Sequence, residues 1–450
     1  MNDTGNTTDP DRPLTSTRFP GRGSYAEAQR IGALLRSESV GGRILVVAAA
    51  VAILWANSPW SGAYFWLRDL EVGVEALGLR LSVGQWASDG LLAIFFFLVG
   101  LELKREIVAG NLRRFGTAIV PVVAAFGGVV TPALFYTLVV FQWPELVRGW
   151  AIPTATDIAF AVAVLAVVGS HLPSALRLFL LTLAVVDDFI AIGIIAVFYT
   201  DDINVAPLLI ALLVIAVYAV IAQLYRRFFR LRPAAAWLIL LPLGIVAWGF
   251  FHASGIHATI AGVLLGFTIP VLRRKRDRLE AESPGLAEVF EHRFRPLSAG
   301  VAIPVFAFFS AGVAIGGVDG FVDALTDPVT VGIVVGLVVG KPIGITLTTW
   351  LVTRARGISL DPSVKWVDLV GVGMLAGVGF TVSLLVAELS FNVTDPHFDH
   401  AKLGILVASV VAAALASVLL VTRSRHYRKL ALLEAVDADG DGIPDVYQRD

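Results

Sequence analysis

The sequence predicts an all-α polytopic membrane protein, and three observations support this fold class. The chain is 56% hydrophobic and only 16% charged, with a mean hydropathy of +0.77, whereas soluble domains carry about 25% charged residues. Apolar runs of about 20 residues, long enough to cross a bilayer as a helix, recur along the chain. The segments between these runs are alternately rich and poor in Lys and Arg.

The apolar runs divide into twelve predicted transmembrane helices, each bounded by charged or turn-forming residues. Their approximate limits are 43–60, 85–103, 115–139, 148–169, 173–199, 205–224, 234–251, 254–272, 297–316, 328–350, 366–389 and 401–422. The seventh and eighth spans are separated at 252–255, where a polar, Gly-containing turn interrupts a continuous apolar stretch.

The positions of Lys and Arg test this division, because cytoplasmic loops of membrane proteins are enriched in both. With the N-terminus in the cytoplasm, thirty of the 35 Lys and Arg residues fall in predicted inside segments and four in outside segments. The remaining one, Lys341, lies within a span. We therefore expect twelve spans with both termini in the cytoplasm.

Composition divides the chain into three segments. Residues 1–42 are polar and rich in Pro and Gly, without the apolar stretch of a signal peptide, and predict a largely disordered cytoplasmic tail. A short amphipathic helix near 25–35 is compatible with this. Residues 43–425 form the transmembrane domain, and residues 426–450 a cytoplasmic C-terminal tail. Because the chain has no cysteine, disulfides and thiolate metal sites are excluded.

The C-terminal tail contains an acidic motif that partly matches the calcium loop of EF-hands. The candidate Ca²⁺ ligands are Asp437, Asp439, Asp441 and Asp445. Position twelve of the loop is Gln448, not the bidentate glutamate that such loops use. A disordered acidic tail is the favoured interpretation.

Ionisable residues near the middle of a membrane span are rare and usually functional, and four such residues stand out in this sequence. Asp187 and Asp188 are adjacent in the fifth span, Asp157 lies in the fourth, and Lys341 lies in the tenth. Each costs about 2.5–3.5 kcal/mol at a helix centre, so a counter-charge, a water-filled cavity or a bound cation must offset them. A purely structural ion pair with Lys341 would still leave one aspartate of the fifth span unpaired.

Two predicted spans contain helix-breaking residues near their centres. The fourth contains Pro153, which removes a backbone donor, and threonines whose hydroxyls can serve the freed backbone groups. The eleventh contains four glycines within 371–379 and is expected to open between Gly377 and Thr381. Taken by themselves, these glycines could also be explained by close packing of helices.

The two breaks occupy matching places in spans 3–5 and 10–12, which have opposite orientations. Inverted repeats with broken helices crossing at mid-membrane are typical of secondary transporters. Broken helices expose partial positive charge at their N-termini and partial negative charge at their C-termini. We expect Asp157 to offset the former and Lys341 the latter, which leaves Asp187 and Asp188 as the exchangeable site.

Several independent motifs resemble those of the NhaA-type sodium/proton antiporters, over roughly residues 38–425. They are TATDIAFA (154–161), VVDD (185–188), SGIHATIAG (254–262), GKPIGI (340–345), GVGFT (377–381) and AKLGILV (401–407). This family is itself an example of transporters with inverted repeats.

The resemblance implies secondary active, pH-regulated and electrogenic Na⁺(Li⁺)/H⁺ antiport in the bacterial plasma (inner) membrane. It implies no enzyme activity and no cofactor besides the transported Na⁺, Li⁺ and H⁺. By the same resemblance, Asp188 is the principal cation ligand and Asp187 its companion, which pairs with Lys341 when no ion is bound. Thr156 and Asp157 would lie at the crossing of the broken helices.

The resemblance also assigns pH sensing to a set of acidic and histidine residues. They are Glu102, Glu106, Glu291, His292 and His257. Glu102 and Glu106 are equally compatible with ordinary surface acids, His292 with a solvated loop residue, and His257 with a backbone hydrogen bond. Asp89 also has a family counterpart, whereas Arg295 stands where relatives commonly have histidine.

Two other functions contain similar features. A Na⁺-coupled symporter of a small organic substrate would also have broken helices and a mid-membrane acid. Symport is therefore the alternative function. An intramembrane aspartyl protease needs acids on facing helices, whereas Asp187 and Asp188 are about 100° apart on one helix. Sodium, protons and the lipid bilayer are the expected partners; a homodimer is compatible with the sequence, and no nucleic acid is expected.

Overall fold

The computed structural model describes residues 25–75, 78–113, 115–169, 171–200, 203–271, 285–355 and 357–434. Within these ranges the protein is mostly helical, as the sequence predicts. Six helices are long and apolar enough to cross a membrane, or up to nine crossings if each bent pair of helices counts as one. The helices fit a multi-pass membrane protein, and the count of twelve spans stays a prediction.

The first part of the chain carries seven described α-helices and a short hairpin. The helices are α1 (Tyr25–Ala56), α2 (Ser61–Asp69), α3 (Val83–Gln85), α4 (Leu92–Ala109), α5 (Phe115–Val140), α6 (Ile158–Val168) and α7 (Ser174–Phe198). A π-helical turn, Trp86–Leu91, precedes α4, and 3₁₀ helices occupy Asn111–Arg113 and Pro144–Thr154. The antiparallel strands β1 (Glu71–Val72) and β2 (Leu81–Ser82) pair Glu71 with Ser82 and Val72 with Leu81.

The second part of the chain consists of helices joined by turns and loops in its described ranges. Its first helices are α8 (Val205–Leu224), α9 (Arg226–Leu231), α10 (Pro233–Ala235), α11 (Leu241–Ala253), α12 (Thr259–Thr268), α13 (Leu286–Leu297) and α14 (Ile303–Ser310). They are followed by α15 (Gly317–Thr326), α16 (Pro328–Val335), α17 (Lys341–Val352), α18 (Trp366–Ala376), α19 (Thr381–Ser390) and α20 (Pro396–Glu434). Further π-helical turns occupy Ala236–Leu240, Ser298–Ala302 and Gly336–Gly340.

The structure differs from the sequence prediction at both ends and in one loop. Helix α1 begins at Tyr25, where the sequence allowed a short amphipathic helix, and it continues without a break to Ala56; its first turns are rich in Ala, Leu, Arg and Glu, which favour helix. Helix α20 likewise continues beyond residue 425. The β1–β2 hairpin makes the fold slightly less than all-α. Residues 1–24 and 435–450, which include the four candidate Ca²⁺ ligands, lie outside the described residues.

The predicted eighth and ninth spans are too long. Helix α12 has ten residues, about 15 Å at 1.5 Å per residue and roughly half the hydrocarbon thickness. The chain between Ala253 and Thr259 forms a turn, in which Gly255 has a positive φ of 80°. Helix α14 ends at Ser310, six residues before the predicted end of its span at 316.

Three π-helical turns have a common local cause. Each is followed by a proline at the second residue of the next helix, namely Pro242 in α11, Pro304 in α14 and Pro342 in α17. A proline ring inside a helix collides with the preceding turn, and one extra residue in that turn relieves the collision. The turn at 336–340 therefore sets the position of the residue that follows it, Lys341.

Helices α5 and α17 pack closely against each other, and they belong to the two segments predicted as repeats. Gly127 of α5 faces Gly344 of α17, and a side chain added at either position would collide with the backbone of the other. A side chain at Gly128 would lie 3.9 Å from Cε of Lys341. Small residues thus let two backbones approach at the level of the buried lysine.

The outer surface is strongly apolar. Helix α8 exposes Leu209, Leu213 and Leu224 by 60%, 64% and 66%, although these side chains would favour burial away from water. Large contiguous apolar surfaces of this kind mark membrane or protein contacts. The polar and charged groups described next are buried inside this apolar shell.

Candidate ion-binding site

Two broken helices cross at the centre of the site. The 3₁₀ helix Pro144–Thr154 and α6 are bent by 47° at their junction, and α18 and α19 by 48°. The backbone N–H of Asp157 donates to the carbonyl of Val378 at 2.7 Å, and Thr156 Oγ1 donates to the carbonyl of Ala376 at 2.9 Å. Each break therefore satisfies backbone groups that the other leaves open.

The Asp157 carboxylate binds two helix N-termini at once. Its Oδ1 accepts from the N–H of Phe160 at 2.9 Å in α6, and its Oδ2 accepts from the N–H of Thr381 at 3.1 Å in α19. Asp157 is 2% exposed, so these donors replace solvent. A carboxylate is the favourable partner for the positive ends of two helix dipoles.

Lys341 lies at the start of α17 and is fully buried. Its Nζ donates to the carbonyl of Thr154, the last residue of the 3₁₀ helix, and to Oδ2 of Asp187 at 2.9 Å. The ammonium group thus joins a helix C-terminus, where positive charge is favourable, to one aspartate of α7.

Asp187 and Asp188 lie within α7 and are 0% and 1% exposed. Among the described residues, Oδ1 of Asp187 and both carboxylate oxygens of Asp188 have no hydrogen-bond partner. A buried ionised carboxylate without compensation is strongly unfavourable. Asp188 is therefore the group in this cluster that most requires a proton or a cation.

The chemistry of these donors determines what they can bind. Carboxylate oxygens are hard ligands and suit ions such as Na⁺ rather than soft metals. Protonation would neutralise the same oxygens, so a cation and a proton would compete for them. The structure brings together all five residues that the sequence places at this site: Thr156, Asp157, Asp187, Asp188 and Lys341.

The residues predicted to sense pH fall into two places. Glu102 of α4 and Glu291 of α13 are joined by Arg295, whose Nη2 lies 2.5 Å from Glu102 and 2.6 Å from Glu291. Arg105 pairs with the other oxygen of Glu291. Glu102 and Glu291 are thus members of an ion-pair cluster between two helices rather than ordinary surface acids.

The remaining members of that predicted set lie differently. Glu106 is partly buried one turn beyond Glu102, and His292 is exposed. His257 lies elsewhere, with Nδ1 3.5 Å from Oδ1 of Asp89. It lines a cavity of about 310 Å³ together with Asp89, Glu388 and others.

Two buried charge networks escaped the sequence analysis. Lys402, 1% exposed, lies 3.3 Å from Glu388; it is one of the four Lys and Arg residues that the charge distribution assigns to outside segments. Asp368, fully buried, accepts from Arg423 and from Tyr427, each at 2.5 Å. All of these charges lie near the ends of predicted spans, where sequence does not distinguish buried from solvated groups.

Comparison with known proteins identifies the family of this chain. The family model described as Na⁺/H⁺ antiporter 1 matches residues 32–420. A protein of Arthrobacter sp. (strain FB24) named Na(+)/H(+) antiporter NhaA is 65% identical over 430 residues, covering 96% of this chain and 93% of that protein. A protein of the same name from Renibacterium salmoninarum is 58% identical, covering 96% and 98%. The predicted resemblance is confirmed: the chain belongs to the Na⁺/H⁺ antiporter 1 family.

Proposed function

We propose that this protein is a secondary active antiporter that expels Na⁺ or Li⁺ in exchange for protons. The observation that carries the proposal is the adjacent pair Asp187 and Asp188, almost fully buried, with three carboxylate oxygens that lack hydrogen-bond partners among the described residues. Membership of a family of transporters supports it. The transported ions are the only small ligands the mechanism needs, and it requires no cofactor.

Exchange follows from competition at one site. Asp188 is the principal ligand, and it holds either a cation or a proton. Asp187 pairs with Lys341 at 2.9 Å and joins the site when a bound cation displaces the ammonium group. Because one set of oxygens serves both ions, the two fluxes are coupled without separate pathways.

The crossing of the broken helices provides a place where the site can open alternately to each side. In our proposal, segments 115–198 and 328–434 contain inverted repeats whose middle elements are the two bent pairs. The similar bends of 47° and 48° support this, as do the hydrogen bonds that join the two breaks. Rocking of one bundle against the other is the usual mode of such transporters.

We infer a twelve-span topology with both termini in the cytoplasm of a bacterial cell and the apolar exterior in its plasma (inner) membrane. Ion pairs support this arrangement. The Glu291 cluster joins two segments that the Lys and Arg distribution places on the cytoplasmic side. The Asp368–Arg423 pair does the same for two others. A homodimer stays compatible with this topology.

Exchange of more than one proton per cation would make transport electrogenic. Asp188 together with either Asp187 or Lys341 gives two groups that can change protonation during one cycle. Each net charge moved is worth about 2.3 kcal/mol per 100 mV, so the membrane potential would drive sodium out. The alternative of a Na⁺-coupled symporter is not favoured, because the curated relatives are named antiporters.

The Asp188 assignment is tested by transport in everted membrane vesicles, with a pH-sensitive fluorophore as readout. Asp188→Asn should abolish the proton flux that Na⁺ or Li⁺ elicits, because an amide offers neither an exchangeable proton nor a negative charge. Asp319→Asn, a change of an exposed acid in α15, is the matched control and should transport as the wild type does. If Asp188→Asn exchanges ions as fast as the wild type, Asp188 is not the essential ligand.

The wild-type protein also tests electrogenic exchange. A transport rate that does not respond to an imposed membrane potential would exclude it.

Lys341→Ala tests the buried counter-charge. Removing one partner of a buried ion pair destabilises a protein by about 3–5 kcal/mol, so the purified variant should melt at a lower temperature and show a changed pH profile. The double change Asp187→Asn with Lys341→Ala removes both charges and should recover part of the lost stability. If Lys341→Ala matches the wild type in melting temperature and pH profile, Lys341 is not a central counter-charge.

We also propose that the ion-pair cluster of Glu102, Arg105, Glu291 and Arg295 takes part in pH regulation. Glu291→Gln removes the carboxylate shared by both arginines and should move the pH of half-maximal exchange while leaving the maximal rate largely intact. Glu288→Gln changes an exposed acid on the same helix and should leave the profile unchanged. Identical profiles for the two variants would contradict the regulatory role.

A further inference from the structure

A second cluster of ligand-type side chains lies apart from the broken helices. Asp327 is the N-cap of α16, and His397 and His400 lie in the first turns of α20. Nδ1 of each histidine is 2.9 Å from the same atom, Oδ2 of Asp327. The three ligand atoms all lie within 4.8 Å of one another.

The fold orients this carboxylate toward the imidazoles. Oδ1 of Asp327 accepts from the backbone N–H of Val329 at 2.8 Å, which fixes the carboxylate plane and leaves Oδ2 for the two rings. His397 and His400 are three residues apart, a spacing that places both on one face of a helix. The hydroxyl of Thr330 donates to the backbone carbonyl of His400 at 2.9 Å, which ties the two helices together beside the cluster.

The donor set and its spacing suit a transition metal better than Na⁺. Imidazole nitrogens favour ions such as Zn²⁺, Cu²⁺ and Ni²⁺, and a carboxylate oxygen completes a ligand set common for zinc. Tetrahedral Zn²⁺ with bonds of about 2.0–2.1 Å places its ligand atoms roughly 3.3 Å apart. The two N–O separations of 2.9 Å would need to widen by only a few tenths of an ångström, and all three ligand atoms already lie within 4.8 Å of one another.

Access and local charge also favour a cation here. The side chains of His397 and His400 are 31% and 26% exposed, whereas Asp327 is 8% exposed. Solvent can therefore supply a fourth ligand while the carboxylate stays partly desolvated. A nearby positive charge on α20, Lys402, is paired with Glu388 at 3.3 Å.

We propose that Asp327, His397 and His400 form a binding site for one transition-metal ion of the Zn²⁺ type, with water as the fourth ligand. The site joins the start of α16 to the start of α20, on the side of the membrane that the charge distribution places outside. Helix α16 continues through the π-helical turn 336–340 into Lys341. A bound metal would thus fix the outer end of the helix that carries the buried lysine.

Binding is measured on purified full-length protein without a polyhistidine tag, since a tag would itself bind metal. Titration with Zn²⁺ in a calorimeter should give a stoichiometry near one per chain, and Co²⁺ should give the visible absorption of a tetrahedral complex. Zn²⁺ should also raise the melting temperature, because the ion binds the folded state.

Two ligand variants and one control decide the outcome. Asp327→Asn keeps an oxygen for the helix cap but removes the anionic ligand, and His400→Gln removes one imidazole. Each should weaken Zn²⁺ binding by about 100-fold or more, because supporting residues alone typically contribute roughly 10–100-fold. His426→Gln changes an exposed histidine on the same helix and should bind as the wild type does.

Absence of saturable Zn²⁺ and Co²⁺ binding by the wild type would overturn the proposal, leaving a hydrogen bond between His400 and Asp327 with His397 beside it. Wild-type affinity in both Asp327→Asn and His400→Gln would overturn it equally, because the metal would then bind elsewhere. The melting temperatures of the variants without metal show whether each remains folded, so that a loss of binding is not confused with unfolding.

Discussion

The central constraint on this structure is that charge buried among apolar helices must be neutralised. Asp157, Asp187, Asp188 and Lys341 are each at most 2% exposed, so water cannot neutralise them. Two helix N-termini stabilise Asp157, while Lys341 is shared by Asp187 and a helix C-terminus. Asp188 alone in this group lacks any such partner among the described residues. The proposed antiport uses this remaining charge, since a proton or a cation from solution can neutralise it.

The broken helices and the buried charges depend on one another. A helix interrupted inside a membrane exposes backbone donors and acceptors that lipid cannot satisfy. Here the two interruptions satisfy some of each other's groups, Asp157 accepts from two further N–H groups, and Lys341 donates to one further carbonyl. The same contacts therefore hold the crossing together and surround Asp188, so a shift of either broken helix alters the environment of the proposed ligand.

Much of this site was predictable from the sequence because the signal was chemical contrast. Four ionisable residues stand out in long apolar spans, and Pro153 and Gly377 mark the breaks. The structure added what depends on contacts distant in sequence, such as Lys402 with Glu388 and Asp327 with His397 and His400. The shortness of α12 was hidden because apolar composition reports burial in lipid or protein alike. The sequence allowed a short helix near 25–35, but its joining to the first span as one helix from Tyr25 to Ala56 was not evident, because polar composition does not show where a helix ends.

The central claim is that a cation and protons compete for Asp188. It is tested most directly by titrating the purified protein with NaCl at alkaline pH in a weakly buffered solution and following proton release. The account predicts that Na⁺ alone, without any organic substrate, releases protons from the wild type, and that Asp188→Asn releases none. Saturable Na⁺ binding by the wild type without proton release would contradict competition at one site and with it the proposed mechanism.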